Sequence, residues 1–546
     1  MTSYRTPLGL TAFLLASTAF AGDPAFAASC ESLAGLKLSN TTITMAQSQA
    51  AGSFTPRGAA AGAMPVPVAF CRVGGSIKPT RDSDIRFEIW LPQTGWTGRY
   101  ESVGNGGFAG VIPLGAMVHP LIGGSAVAGT DDGHATSVNT QAEWALGHPE
   151  KVIDFGYRAV HLTAAIGKLI TAAYYGSKPK YSYFIGCSTG GREALTEAQR
   201  YPKDFDGIAA GDPANQYVNQ HSADAANMKA FLASEEGYIP PADVQKIGSV
   251  ITGQCDAVDG VRDGLINDPR ACRITLASLP LTQAQLKTYQ ALHDGPKTSS
   301  GKQIFPGMPF GSEAVGWTQY FAGPNWAEAH AKARRGIMAN ETFANLVYLD
   351  PKWDFMTFDS DKSLADAKRA LGHIMDATDP KLDGFRAHGG KLVSYHGWAD
   401  SDITPFATVN YYNTVVAARQ RTAAKKPGTG SQSSNAGALD KAQAFYRLFM
   451  VPGMGHCGGG PGPNQFGQTG GDGDADHDVV AALEAWVEKG IAPQRIIATK
   501  YVDNDRTKDV QMTRPLCVYP KAAKYKGAGD TNDASNFVCA APTLAK

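Results

Sequence analysis

The sequence carries no excess charge of either sign. Fifty Lys and Arg are matched by fifty Asp and Glu over 546 residues. That balance excludes the basic stripe expected of a nucleic-acid-binding domain. Charged residues are sparse, 18% against 43% hydrophobic, which excludes a disordered chain and implies a packed core. No apolar run beyond the N-terminal segment is long enough to cross a membrane. No internal repeat is present, which excludes a solenoid. Cysteines are few, eight in all, but their number is even, so full pairing is possible without the sequence choosing a pattern. What the chain has in quantity is turn-formers, 61 Gly and 32 Pro, so many loops are expected on the core.

The N-terminus reads MTSYRTPLGLTAFLLASTAFAGDPAFA. Arg5 precedes an apolar run, and two small-x-small sites end at Ala21 and Ala27. This is the pattern of a secretory signal peptide over residues 1–27, too short to serve as a spanning helix. The residues before Cys30 lack the leucine-like side chain of a lipid-attachment site. The expected location is periplasmic or secreted, where thiols oxidise.

Strand-like and helical runs then alternate. IRFEIWLP (85–92) and RYESV (99–103) read as strands, the second running into the glycine-rich GNGGFAG. Residues 152–176 have helical spacing, YSYFIG (181–186) is a short buried strand, and GREALTEAQR (191–200) is a helix. The pattern returns in GGKLVSYHGWAD (389–400), AFYRLFMVPGMGHC (444–457) and the amphipathic HDVVAALEAWVEKG (477–490). Such alternation predicts an α/β sheet. Residues 215–382 break it with helical pieces and two close cysteines, and are read as a lid domain inserted in a catalytic domain of residues 28–214 and 383–546. Residues 424–438, AKKPGTGSQSSNAGA, read as a low-complexity surface loop.

IGCSTGGR (185–192) contains a Gly-x-Ser-x-Gly match between a strand and a helix. That is the setting of a nucleophile elbow, which lifts a serine above a sheet. A serine needs a base, and the partners of such a serine follow in the order acid, then histidine, at strand ends. Asp400 and His456 fit both order and placement, with Asp402 as a competing acid. His134, His148, His161 and His396 read as ordinary satisfied histidines. The adjacencies Cys187–Ser188 and His456–Cys457 reinforce each other: a working pair within hydrogen-bond reach brings its neighbouring cysteines to disulfide distance. An oxyanion hole is expected from the amide of Thr189 and from Gly106 or Gly107.

Between Cys255 and Cys272, the acids Asp256, Asp259 and Asp263 alternate with the carbonyls of Val261 and Leu265, a donor set suited to a structural Ca²⁺ although not an EF-hand. Nothing calls for an organic cofactor. Arg334 and Arg335 read as surface charge.

The stretches GNGGFAG, TDDGH (130–134), GCSTGGREAL, YHGWAD, PGMGHC and GPNQFGQ (462–468) resemble the tannase and feruloyl esterase family over nearly the whole mature chain. The resemblance implies an α/β-hydrolase fold with an inserted lid and a triad of Ser188, Asp400 and His456. It implies calcium on Asp256, Asp259, Val261, Asp263 and Leu265. It also implies disulfides Cys187–Cys457, Cys30–Cys71, Cys255–Cys272 and Cys517–Cys539. The implied partner is a small aromatic ester, feruloyl or galloyl, with a mono(2-hydroxyethyl) terephthalate half-ester as an alternative. A non-catalytic binding protein on this scaffold would be expected to lack a triad member, and none is missing.

Overall fold

The computed structural model describes residues 28–55, 64–421, 431–468, 470 and 473–542. The signal-peptide pattern lies outside the described residues. Nine strands form one sheet: β1 (Thr41–Gln49), β2 (Phe70–Ile77), β3 (Ile85–Pro92), β4 (Arg99–Val103), β5 (Ala126–Thr130), β6 (Tyr181–Cys187), β7 (Gly207–Gly211), β8 (Lys391–Gly397) and β9 (Tyr446–Val451). Their order is β1-β2-β3-β5-β4-β6-β7-β8-β9. The contacts from β1 through β3 to β5 are antiparallel, and those from β5 through β4 to β9 are parallel. Helices α1 (Ala159–Tyr175) and α2 (Thr189–Arg200) pack on the parallel part. This is the α/β-hydrolase architecture.

Parallel strands are covered on both faces and read as apolar throughout. β5 (AVAGT), β7 (GIAAG) and β9 (YRLFMV) are buried along their whole length. The alternation in IRFEIWLP does produce a strand, but only Arg86 of β3 is exposed. Glu88 is buried there because Arg72 pairs with it and Trp90 Nε1 donates to it at 2.8 Å.

Between Gly211 and Lys391 the described chain forms no strand within the sheet. It folds into helices including α3 (Tyr217–Phe231), α4 (Pro241–Cys255), α5 (Arg334–Glu341) and α6 (Lys362–Met375). Met228, Ile247, Trp317, Phe343 and Leu371 give this insertion a core, and Phe108 and Phe155 of the sheet part pack into it. Further on come α7 (Pro405–Arg421), α8 (Ser431–Gln443) and α9 (Val479–Lys489). Residues 424–430 of the expected surface loop lie outside the described residues. Residues 431–438 are a correction: they open α8, since Ser, Gln, Asn, Ala and the single Gly437 are tolerated in a helix once Pro427 has been passed.

All eight cysteines are paired, as Cys30–Cys71, Cys187–Cys457, Cys255–Cys272 and Cys517–Cys539. Among the described residues no helix is long and apolar enough to cross a membrane.

Candidate active site

Ser188 sits between β6 and α2 with φ 65° and ψ −120°, a conformation costly for a residue with a side chain. Its N–H donates to Gly211 O at 3.0 Å, and its carbonyl accepts from Arg192 and Ala214. These bonds hold the strained turn. The flanking glycines are required: a Cβ on Gly186 would lie 2.6 Å from the Gly190 carbonyl carbon. The serine is partly exposed, while Thr189 behind it is buried.

Asp400 and His456 lie in the loops that follow β8 and β9, neighbouring strands of the sheet. His456 Nδ1 donates to Asp400 Oδ2 at 2.8 Å. Asp400 is fully buried and accepts three more hydrogen bonds, from Asp402 N (2.7 Å), Ile403 N (3.0 Å) and His396 Nε2 (3.2 Å). Burial alone would raise its pKa. The charges and hydrogen bonds of His456 and His396 override burial and hold the carboxyl far below its usual range. Asp402 therefore does not take the orienting place. Its Oδ2 lies 3.5 Å from the other ring nitrogen, Nε2 of His456. Burial pulls the His456 pKa down, but Asp400 and Asp402 together push it above the ordinary imidazole value.

Three neighbours complete the arrangement without having been singled out from sequence for this role. Asp212, at the end of β7, accepts from Gly397 N at 2.9 Å and from Cys457 N at 2.6 Å. It therefore ties the strand that carries Asp400 to the loop that carries His456. Burial raises its pKa, partly offset by His396. The signal for it was an acid just after the strand GIAAG, the same signal that marked Asp400. His396 is satisfied, as expected, but by the site itself: the Ile403 carbonyl 2.9 Å from Nε2 requires a proton there, which turns it toward Asp400. Arg335 is a correction. It is 1% exposed, pairs with Asp224, and donates to Ser401 O (3.0 Å) and Asp402 O (2.6 Å). The helical insertion thus grips the loop after Asp400. Arg334 is partly exposed, with Nε 3.8 Å from Asp402 Oδ2.

Cys187 and Cys457 have Cα atoms 6.0 Å apart across 270 residues of chain, which fastens the serine turn to the histidine loop. Thr189 is the first residue of α2, and its hydroxyl donates to Gly107 O at 2.6 Å. Among the described residues no acceptor takes the amides of Thr189, Gly106 or Gly107.

A family model described as "Tannase and feruloyl esterase" matches residues 71–540. The chain belongs to the tannase and feruloyl esterase family. It is 41% identical over 538 residues to an uncharacterized esterase of Xanthomonas campestris pv. campestris, covering 94% of this chain and 91% of the relative. It is 32% identical over 549 residues to a probable feruloyl esterase B-2 of Aspergillus terreus, covering 96% and 97%. The crystal structure of feruloyl esterase B from Aspergillus oryzae superimposes with a TM-score of 0.83 at 28% identity, covering 94% of this chain and all of that one. The tannin acyl hydrolase of Aspergillus niger shares the fold, with a TM-score of 0.73 at 21% identity. Membership makes this chain a carboxylic ester hydrolase, and the α/β-hydrolase sheet places it structurally with these esterases.

The Cys255–Cys272 turn carries the three acids expected to bind calcium, but among the described residues their carboxylates do not converge into a group that could hold a metal ion. Asp256 Oδ1 accepts from Asp263 N and Gly264 N, both at 3.0 Å, Asp259 Oδ1 from Val261 N, and Asp263 Oδ1 from Leu265 N. Burial, then the neighbouring carboxylates, pushes the Asp259 pKa up to about 6. Burial also raises Asp263, against the pull of Arg514 at 2.6 Å. The residue types suit a hard divalent cation, while their carboxylate oxygens are engaged by backbone N–H groups and by Arg514.

Proposed function

We propose that the protein is an exported serine esterase that cleaves esters of aromatic acids through an acyl-enzyme at Ser188. The single observation that carries this reading is the bond from His456 Nδ1 to Asp400. It leaves Nε2 as the proton acceptor, on a loop bridged through Cys457 to the residue before Ser188. His456 takes the proton from Ser188 as Oγ attacks the ester carbonyl. The amides of Thr189 and of Gly106 or Gly107 receive the oxyanion. His456 then protonates the leaving alcohol as the ester bond breaks, and Asp400 steadies the imidazolium throughout. Water, deprotonated by the same histidine, releases the acid.

The names of the relatives support feruloyl esters as substrates, and the resemblance of the motifs to the tannase and feruloyl esterase family adds galloyl esters. The helical insertion acts as the lid that selects the acyl group, and a structural Ca²⁺ bound by Asp256, Asp259, Asp263 and the carbonyls of Val261 and Leu265 stiffens it. The N-terminal signal pattern and four disulfides support export. One observation favours a terephthalate half-ester as a second reading: the partly exposed Arg334 beside Asp402 offers a cation for a second carboxylate.

The test is Ser188→Ala against methyl ferulate, methyl gallate and mono(2-hydroxyethyl) terephthalate. The reading expects turnover to be lost on whichever ester the parent cleaves best. Undiminished turnover would overturn it.

A further inference from the structure

The first turn of α2 grips the glycine-rich loop at three points. Gly190 N donates to Asn105 O at 2.8 Å, and Thr189 Oγ1 to Gly107 O at 2.6 Å. Glu193 Oε2 accepts from Asn105 N at 3.1 Å. The fit is tight enough that a Cβ on Gly104 would meet Gly190 Cα at 2.6 Å and Glu193 Oε2 at 3.0 Å. The amides of Gly106 and Gly107 are therefore aimed by α2, and one of the three contacts depends on an ionisable side chain.

That side chain has an unusual companion. Glu193 is 3% exposed and Asp132 is fully buried, with φ 62° in the TDDGH turn. Glu193 Oε1 and both carboxylate oxygens of Asp132 are buried without a well-formed hydrogen bond among the described residues, and the Asn105 side chain is the one donor that acts on Asp132. The two carboxyl groups contact each other. Arg192 acts on the pair only through its charge: its Nη atoms donate to Gly156 O (2.6 Å) and Phe155 O (2.9 Å), and its Nε reaches no acceptor. Two touching, buried carboxylates cannot both be ionised, and a proton between them supplies the donor that Oε1 lacks. Burial, with the neighbouring Glu193 adding to it, raises the Asp132 pKa well above the usual range.

We propose that Glu193 is a positioning residue for the oxyanion loop, locked in place by a proton that it shares with Asp132. In this arrangement Asp132 donates O–H to Oε1, which fixes the carboxylate so that Oε2 receives Asn105 N–H. Asn105 in turn sets the direction of the next two amides. The proposal rests on the reading of Ser188 as nucleophile and of this loop as the oxyanion hole.

The test is a set of four variants assayed on methyl ferulate, or on the best ester if that differs, with thermal melts recorded alongside. Glu193→Ala is expected to lower kcat by about tenfold or more with KM within about twofold, since a displaced donor acts on the transition state rather than on binding. Glu193→Gln accepts from Asn105 and donates to Asp132, and is expected to restore kcat to within about threefold of the parent. Asp132→Asn, which keeps a donor, should behave like Glu193→Gln, and Asp132→Ala like Glu193→Ala. Equal losses in the Gln and Ala variants, or an undiminished kcat in Glu193→Ala, would overturn the proposal. If Glu193→Ala does not fold, the Asp132 pair decides on the same criteria. Ser188→Ala in the same assay separates the two levels: its loss of activity keeps the nucleophile while Glu193 is judged on its own series, and its survival overturns both.

Discussion

Cys457 and Asp212 are joined by a backbone hydrogen bond of 2.6 Å, from the amide of the residue after the candidate base to a buried carboxylate at the end of a neighbouring strand. Cys457 is thus held twice, by this bond and by its disulfide to Cys187. Asp212 also accepts from Gly397 N. Replacing it with Ala strands two buried donors, and the expected cost is about 3 kcal/mol of stability, measurable by urea unfolding. Asp212→Asn keeps at most one acceptor for the two amides, so it should fall between parent and Ala in both stability and kcat. Parent-like stability of the Ala variant would contradict this role.

The disulfide has a separable effect. Closing a loop of 270 residues contributes at most about 5 kcal/mol in the chain-entropy account. The double variant Cys187→Ala with Cys457→Ala should lose stability and should also lose kcat by more than it changes KM. An unchanged kcat would mean that Asp212 alone keeps His456 in register.

The pH profile tests the two carboxylates on His456. The base must be neutral to accept a proton, and both Asp400 and Asp402 stabilise its charged form. Activity is therefore present above the raised His456 pKa and is lost as pH falls through it. The acid limb of kcat/KM should lie above the ordinary imidazole value of about 6.5. Asp402→Asn removes one of the two charges, so the limb should move to lower pH, whereas Asp400→Asn should lower the rate at every pH. An unmoved limb in Asp402→Asn would show that this carboxylate does not act on the base.

Arg335 predicts a coupling between the insertion and the catalytic loop. Arg335→Met leaves the buried Asp224 with only His221 Nδ1, 3.3 Å away, and frees the carbonyls of Ser401 and Asp402. About 3–5 kcal/mol of destabilisation is expected, with kcat reduced although Arg335 touches neither Ser188 nor His456. Full activity in a folded variant would contradict it.

Metal removal tests the acidic turn. Chelation should lower the melting temperature and Ca²⁺ should restore it, and Asp259→Asn should abolish that difference. Identical melts with and without chelator would remove the calcium site from the account.

The sequence shows most of the chain's local grammar. The strands that carry Ser188, Asp400 and His456 were legible because apolar runs end at a polar residue where a parallel sheet opens to a site. Arg335 was not legible: an arginine in a helix reads as exposed unless its partner is known, and Asp224 lies 111 residues away. Asp212 and Asp132 were missed for a related reason. An acid after a strand or in a turn is ordinary, and only the fold reveals that one caps two amides and the other meets Glu193. Residues 431–438 looked like linker by composition, but composition does not register the helix that they enter.

The proposed function stands or falls with Ser188 as the nucleophile of an acyl-transfer site. A fluorophosphonate ester, which phosphonylates activated serines, followed by peptide mapping tests it most directly. One adduct is expected, on Ser188, formed in step with the loss of esterase activity. Loss of activity with the adduct on another residue, or full labelling of Ser188 with activity intact, would contradict it.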